Sequence, residues 1–286
     1  MSNSLLNLSG KIDPETITLF QCVEGVAKQL NIPFVVVGAY ARDLMLHYGH
    51  GAAIQRATSD IDFGIQIPNW AAFEKLTERL LENGFEKSQP QHRLVSPEGI
   101  QVDIVPFGQL EDERANIQWP PNGDMVMNVL GFQEALDHAE MVRIQDVPSV
   151  DIPVATPQGM TLLKLISWVD RAADMRKKDA KDLRYLMKTY TKIPAIMEVL
   201  YDSGFLEERY DWDTELAGAH QLGIDVKTIA GEQTYKAVSA LFNGEHKKLS
   251  VETLVDEMRD QIAGEYEKNK EIVDALIEGF LQEVKS

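Results

Sequence analysis

The sequence predicts an α+β protein in which a small mixed β-sheet flanked by helices is followed by an all-helical C-terminal domain. Three observations lead to this prediction. Short apolar or alternating segments of strand type lie in the first 155 residues only. Helical spacing of apolar residues separates these segments. From Thr156-Pro157, a cap residue followed by proline, the chain has helical patterns to its end. The predicted domains are therefore residues 1–155 and 156–286.

The first domain begins with a helix and then alternates strands with helices. Asp13-Pro14 forms an N-cap with proline at the first helical position, and apolar residues recur at helical spacing as far as Leu30. After it the sequence predicts a strand at 34–37, a helix at 40–48, a loop at 49–58, a strand at 60–67, a helix at 69–83, a hairpin over 93–105, an irregular stretch at 108–130 and a strand at 141–144. In the second domain it predicts helices at 157–173, 177–190 and 193–202, and two or more between 226 and 284.

Composition and charge exclude several classes of protein. The chain has 286 residues, of which 44% are hydrophobic and 26% charged, as expected of a globular protein with a real core. No stretch approaches the roughly 20 apolar residues of a membrane span, and the start MSNSLLNLSG lacks the basic region of a signal peptide. We therefore expect a cytoplasmic protein with no membrane partner.

The net charge of −17 is unevenly distributed along the chain. Residues 156–192 carry 9 basic and 4 acidic side chains, or +5, whereas the segments before and after this basic segment each carry −11. A solvated helix face accounts for such a segment, and so does proximity to a polyanionic ligand. Elsewhere the acidic surface opposes nucleic-acid binding.

Three aspartates carry the strongest chemical signal. Asp60 and Asp62 are i and i+2 of a predicted strand, so their carboxylates project from the same face. Asp103 lies in a second apolar strand, where a charge needs a partner. Three converging carboxylates suit hard divalent ions, and they predict two Mg²⁺ ions, with Mn²⁺ as a substitute, in a phosphoryl-transfer site. A lone Asp-x-Asp pair is more often structural.

The turn after the first predicted strand supports a phosphate ligand. Gly38-Ala39 stands between that strand and a helix start, where small residues let backbone N–H groups approach an anion. Arg42 follows in the helix and is expected either to donate to a phosphate or to be an intrahelical surface charge. Lys164 emerges from an apolar helix and is expected to neutralise a triphosphate, the alternative being a snorkelling surface lysine.

Taken together, these motifs resemble the nucleotidyltransferase superfamily that includes DNA polymerase β. The matching segments are Val37 to Asp43, Thr58 to Asp62 and Val102 to Val105. The run Arg56 to Asp62 is most similar to AbiEii-type toxin nucleotidyltransferases, and the glycine segment is similar to tRNA CCA-adding enzymes. The family's Gly-Gly or Gly-Ser pair is Gly38-Ala39 here, so a serine hydroxyl is replaced by a methyl group.

The resemblance implies a catalytic domain at 1–155 and a helical domain at 156–286 that completes a nucleotide cleft. The implied metal ligands are Asp60, Asp62 and Asp103, with Lys164 as a further catalytic residue. The implied nucleotide-binding residues are Gly38, Ala39, Arg42, Ser59, Lys164, Arg171, Asp179 and Asp182. Asp179 and Asp182 share a helix face and either orient Lys164 or Arg171, or pair with Lys178 and Arg184.

The implied reaction moves an NMP from an NTP to a hydroxyl of a tRNA 3′ end or a protein side chain. The resemblance further implies the toxin of a toxin–antitoxin or phage-defence pair, with an antitoxin as partner. Two alternatives remain open. An acidic protein also suits a small-molecule, antibiotic-type nucleotidyltransferase with a cationic substrate. A degenerate domain that only binds nucleotide is the second, and the intact aspartates count against it.

Overall fold

The computed structural model describes residues 5–56, 58–260 and 264–283. The chain forms two compact units, one made of Met1–Gly49 with Ala53–Thr156 and the other of His50–Ala52 with Pro157–Ser286. Residue 57 of the predicted loop, and residues 261–263 and 284 of the predicted C-terminal helices, lie outside the described residues. Within the described ranges no helix is both long and apolar enough to cross a membrane.

The first unit is built on one mixed β-sheet of eight strands, which confirms the predicted fold class. The strands are β1 (Leu6–Asn7), β2 (Phe34–Val37), β3 (Asp60–Ile67), β4 (Glu86–Lys87), β5 (Arg93–Val95), β6 (Gln101–Gly108), β9 (Glu140–Gln145) and β10 (Val150–Val154). Their spatial order is β1-β9-β10-β2-β3-β6-β5-β4. The pairs β1/β9, β10/β2 and β3/β6 are parallel and the others antiparallel.

Two long helices of the first unit begin where side-chain caps predict. Asp13 accepts from the Thr16 N–H at 2.8 Å at the start of α1 (Pro14–Leu30), and Asn69 accepts from the Ala72 N–H at 3.0 Å at the start of α3 (Trp70–Glu82). A short helix α2 (Gly38–Arg42) continues as a π-helical segment (Asp43–Tyr48), so the helix predicted at 40–48 begins two residues earlier, within the predicted turn Gly38-Ala39. Phe20 of α1 packs edge-on against Phe63 of β3, with ring centroids 5.7 Å apart.

The stretch 108–130, predicted as irregular, instead contains a second small sheet. Its two antiparallel strands are β7 (Asn116–Gln118) and β8 (Val126–Asn128). Ile117 and Trp119 are buried there with Phe107 and Val129 in one apolar cluster. A short helix α4 (Phe132–Asp137) follows. The prediction was wrong because three-residue strands are too short to produce a periodic pattern.

The second unit is helical throughout the part that the structure describes, as predicted. Its helices are α5 (Pro157–Asp170), α6 (Ala173–Thr189), a 3₁₀ turn (Tyr190–Lys192), α7 (Pro194–Asp202), α8 (Phe205–Tyr210), α9 (Thr214–Ile229), α10 (Glu232–Phe242), α11 (Val251–Glu257) and α12 (Glu265–Leu281). Trp168 of α5 is fully buried and donates its Nε1–H to Glu257 of α11 at 2.7 Å. The same carboxylate pairs with Arg176 of α6 at 2.7 Å, so one buried acid joins three helices.

Candidate active site

Strand register brings the three predicted aspartates to one face of the sheet. Asp60 and Asp62 are the first and third residues of β3, and Asp62 lies directly beside Asp103 of the parallel strand β6. Alternate residues of a strand share a face, and partners in adjacent strands lie on the same face. Asp60, Asp62 and Asp103, named here the aspartate group, therefore occupy adjoining positions. Asp103 is buried, while Asp60 and Asp62 are half-buried.

A fourth residue, Arg93, enters this face from β5. Arg93 is the in-register antiparallel partner of Asp103. Its Nε donates to Asp103 Oδ1 and its Nη2 to Asp103 Oδ2, both at 2.7 Å, and Nη2 is also 3.7 Å from Asp60 Oδ2. The hydrogen bonds that Arg93 donates to Asp103 raise the pKa of Arg93 above its ordinary value, although burial acts in the opposite direction. The guanidinium is therefore a permanent cation between two of the aspartates.

The predicted hairpin contains enough information to place Arg93 beside Asp103. A hairpin whose turn is centred on Glu98 pairs residue 93 with residue 103, and this is the observed register. Arg93 was interpreted only as the start of a strand, and its pairing with Asp103 was not included in the prediction. Thr58 was also missed, and its hydroxyl donates to Asp60 Oδ1 at 2.8 Å. Ser59, which the family motif implied, is exposed.

Gly38 lies against the Asp62 carboxylate. Its φ of +73° is in the left-handed region, and a Cβ placed on it would lie 2.0 Å from Asp62 Oδ2. Both facts require glycine, because an L side chain would be strained there and would collide with the carboxylate. Ala39 is buried directly after it. The observed reason for glycine is thus close packing with an aspartate of the group.

Arg42 is held inside the first unit. Its side chain is buried, its Nε and Nη2 donate to Asp43 Oδ1 at 2.9 and 2.8 Å, and its Nη1 donates to Gln55 at 3.1 Å. Burial raises the pKa of the Asp43 carboxyl, and Arg42 opposes that shift. To reach a phosphate, the guanidinium would have to leave Asp43. Arg42 thus forms a buried ion pair, and the alternative of an intrahelical surface charge was wrong because the side chain is buried.

The aspartate group fits a divalent cation in donor chemistry and in register. Three carboxylates on one face offer the oxygen ligands that Mg²⁺ and Mn²⁺ prefer. As the side chains stand, however, no three Asp, Glu, His or Cys residues among those described are arranged to hold a metal ion. Arg93 engages both oxygens of Asp103 in this arrangement.

In the second unit, Lys164 lies in a cluster of four charged residues. Its Nζ donates to Asp179 Oδ1 at 2.9 Å and is 2.8 Å from Asp182 Oδ2. Arg171 Nη1 is 2.8 Å from Asp179 Oδ2. Burial lowers the pKa of Lys164, but Asp182 and Asp179 outweigh it, so the pKa is raised. Of the two sequence alternatives for Asp179 and Asp182, the structure has the one in which they hold Lys164 and Arg171.

Much of the basic segment at 156–192 is neutralised within the helical unit. Arg176 pairs with Glu257, Lys181 with Asp260, Arg184 with Asp260 and Glu265, and Lys188 with Glu215 at 3.5 Å. Lys177 and Lys178 are exposed on α6. The net excess of positive charge thus offers few side chains to a polyanion.

Comparison with known proteins agrees with the class that the fold and the motifs define, a nucleotidyltransferase. A family profile described as "Nucleotidyl transferase AbiEii toxin, Type IV TA system" matches residues 23–275. The chain therefore belongs to the AbiEii nucleotidyl transferase family of toxins, and its activity class is nucleotidyl transfer. No curated protein matches it in sequence.

Several solved structures resemble the chain at low identity. The ANT(2'')-Ia complex with adenylyl-2''-tobramycin is 16% identical with a TM-score of 0.37, covering 68% of this chain and 98% of that one. The Thermotoga maritima CCA-adding enzyme complexed with tRNA is 14% identical with a TM-score of 0.28, covering 96% and 81%. The Bradyrhizobium diazoefficiens CD-NTase CdnG in complex with GTP is 11% identical with a TM-score of 0.29, covering 89% and 95%.

Proposed function

We propose that this protein is a divalent-metal-dependent nucleotidyltransferase that moves an NMP from an NTP to a hydroxyl group. The observation that carries the proposal is the in-register aspartate group on β3 and β6 in a chain of the AbiEii family. Asp60, Asp62 and Asp103 would hold two Mg²⁺ ions, for which Mn²⁺ can substitute. When bound, these ions supply activation of the acceptor hydroxyl and neutralisation of the triphosphate.

The reaction forms one bond and breaks one. The acceptor oxygen attacks the α-phosphorus of the NTP, and the bond from that phosphorus to the bridging oxygen of the β-phosphate breaks, which releases pyrophosphate. The hydroxyl proton must pass to a base, and Asp103 is the candidate. The contribution of the chain is mainly to position the reactants and to fix charges in advance.

The side chains next to the aspartate group would keep it in position. Gly38 leaves the space that the Asp62 carboxylate fills, and Thr58 donates to Asp60. In the helical unit, Asp179 and Asp182 orient Lys164 as a fixed cation. We propose the triphosphate as the ligand of Lys164, with Arg171 as its neighbour in the cluster.

The proposed acceptor is the 3′ end of tRNA, with a protein hydroxyl as the second candidate. Lys177 and Lys178 support the first, because exposed lysines of the basic segment can contact a few phosphates. The family description adds the role of a toxin in a toxin–antitoxin system, which implies an antitoxin as partner.

The decisive experiment uses the full chain, each labelled NTP, Mg²⁺ or Mn²⁺, and total cell lysate. We expect label to enter RNA, and chelation of the metal to abolish it. Asp62→Asn should reduce transfer by about a hundredfold or more, because several kcal/mol of charge stabilisation is lost. Asp124→Asn, an exposed aspartate of the same unit, is the matched control and should leave transfer unchanged. Transfer that survives both Asp62→Asn and chelation would contradict the proposal, and label in protein would identify the second acceptor.

A further inference from the structure

Arg93 is a cation that lies against two members of the aspartate group. It grips both oxygens of Asp103 at 2.7 Å and reaches within 3.7 Å of Asp60. A two-pronged arginine–carboxylate pair is among the strongest and most directional charge-assisted hydrogen bonds. The side chain is only 23% exposed, so solvent screens the pair weakly.

Strand register fixes the position of Arg93 beside Asp103. Arg93 and Asp103 are cross-strand partners in β5 and β6, and Asp103 is the lateral partner of Asp62 in β3. The guanidinium therefore reaches the aspartate face from a fixed backbone position. Three carboxylates side by side repel one another, and the one buried at Asp103 needs a counter-charge.

We propose that Arg93 is the resident counter-cation of the aspartate group: it neutralises Asp103 while no divalent cation is bound and opposes the binding of one. This inference rests on the proposed function. A divalent ion would bind the same carboxylates that Arg93 contacts, and two cations at the same carboxylates repel each other. Arg93 therefore lowers metal affinity and stabilises the metal-free fold.

Arg143 provides a matched control within the same sheet. Its Nε and Nη2 donate to Asp151 Oδ1 and Oδ2 at 2.8 and 2.9 Å, a two-pronged pair between neighbouring strands β9 and β10. Its chemistry and register are the same as those of Arg93, but its partner is a single aspartate outside the aspartate group. Arg93→Met and Arg143→Met each remove one guanidinium and keep an unbranched stem.

The test is Mn²⁺ binding to the full chain by calorimetry, together with thermal unfolding in EDTA and in Mn²⁺. Because close charge pairs couple by more than the free energy of one decade of affinity, Arg93→Met should lower the Kd for Mn²⁺ by about tenfold or more. Arg93→Lys keeps the positive charge but loses the two-pronged geometry, so its Kd for Mn²⁺ should lie between those of the unchanged protein and Arg93→Met. In EDTA, Arg93→Met should have a lower Tm than the unchanged protein, and Mn²⁺ should raise its Tm by more. Arg143→Met should leave the Kd unchanged.

The outcomes separate this inference from the proposed function. If the unchanged protein binds Mn²⁺, Asp62→Asn abolishes binding and Arg93→Met binds no more tightly, Arg93 is only a scaffold and the inference is overturned alone. If neither the unchanged protein nor Arg93→Met binds Mn²⁺, the metal-dependent function fails and takes the inference with it. If Arg93→Met is unfolded in EDTA, Arg93→Lys provides the test instead. A lower Kd for Mn²⁺ than that of the unchanged protein supports the inference, and an unchanged Kd overturns it.

Discussion

At the scale of single residues, Gly38 is where backbone conformation and proposed chemistry depend on each other. The left-handed φ of +73° and the carboxylate of Asp62 both exclude a side chain. Other glycines of the first unit have a positive φ but open surroundings. Gly10, with φ of +79° and no atom within 4 Å of a built Cβ, is one of them. Substitutions at Gly38 and Gly10 can therefore distinguish the effect of backbone strain from the effect of displacing Asp62.

Gly38→Ala should therefore cost more than Gly10→Ala. Both substitutions pay about 1–2 kcal/mol for a left-handed alanine, but only Gly38→Ala pushes Asp62 out of place. We expect Gly38→Ala to lose nucleotidyl transfer by about tenfold or more, since small displacements of catalytic groups have effects of that size. Gly10→Ala should retain activity, and its loss of stability should be no greater than that of Gly38→Ala. Chemical denaturation and the transfer assay measure both, and equal activities of the two variants would contradict the prediction.

At the scale of elements, the sequence predicted those whose pattern is long or capped. The helices α1 and α3 have apolar periodicity and side-chain caps, and β3 alternates over eight residues. Strand β10 was missed because it contains Pro153, which cannot donate to a ladder and counts against a strand. Helix α6 begins at Ala173, four residues before the predicted start at 177. The prediction missed the first turn because that turn is largely polar and lacks apolar periodicity.

The candidate site was predictable as far as strand patterns reach. Alternation places Asp60 and Asp62 on one face, and the apolar run around Asp103 marks the second strand. Which strands are neighbours, and that they run parallel, is decided by long-range pairing that no local pattern contains. The burial of Arg42 likewise depends on packing around the π-helical segment, which lies beyond sequence periodicity.

Helices α9 and α12 meet so closely that a buried histidine lies in their contact. A Cβ on Gly223 would lie 2.1 Å from the Leu276 carbonyl oxygen, and one on Gly279 would lie 2.0 Å from that of His220. The fully buried His220 ring contacts Tyr210 Oη through Nδ1 at 2.8 Å and Gln282 Oε1 through Nε2 at 2.9 Å. Burial lowers the pKa of His220 below its ordinary value, which favours the neutral ring in the folded protein.

The helical contact should consequently weaken in acid. With a folded pKa below the unfolded value of about 6.5, the unfolded chain binds the proton first, and stability present above that pH is lost as the pH falls through it. One proton limits the loss to about 1.4 kcal/mol per pH unit. We expect the free energy of unfolding to fall more between pH 7.5 and 5.5 in the unchanged protein than in His220→Gln. Parallel curves from denaturant titrations would refute this role of His220.

For the complete chain, net charge is the property that acts on an acceptor at the longest range. The chain carries −17, and several cations of the basic segment are already paired with acids of the helical unit. A polyanion approaching such a surface meets repulsion nearly everywhere. Lys177 and Lys178 lie among the few exposed cations of the segment, which limits an RNA footprint to a few phosphates.

Lys177→Glu with Lys178→Glu should thus abolish transfer to tRNA while leaving NTP binding unchanged. The slope of log affinity for tRNA against log salt should be shallow in the unchanged protein, about −0.9 for each contacted duplex phosphate. The matched control is Lys247→Glu with Lys248→Glu, an exposed lysine pair of the same unit outside the segment, which changes the net charge by the same amount. If both pairs act alike, bulk charge and not a local site governs tRNA binding.

The order of the chain through its two units restricts how the protein can be divided. His50–Ala52, from the N-terminal half, belong to the same compact unit as Pro157–Ser286, while residues on both sides of this short insertion belong to the other. A gene split at codon 156 would give a second fragment that lacks three of its own residues, among them the buried Ala52. A hybrid protein that replaces the helical unit from residue 157 onward would therefore also have to match the tripeptide His50–Ala52, encoded more than a hundred codons upstream.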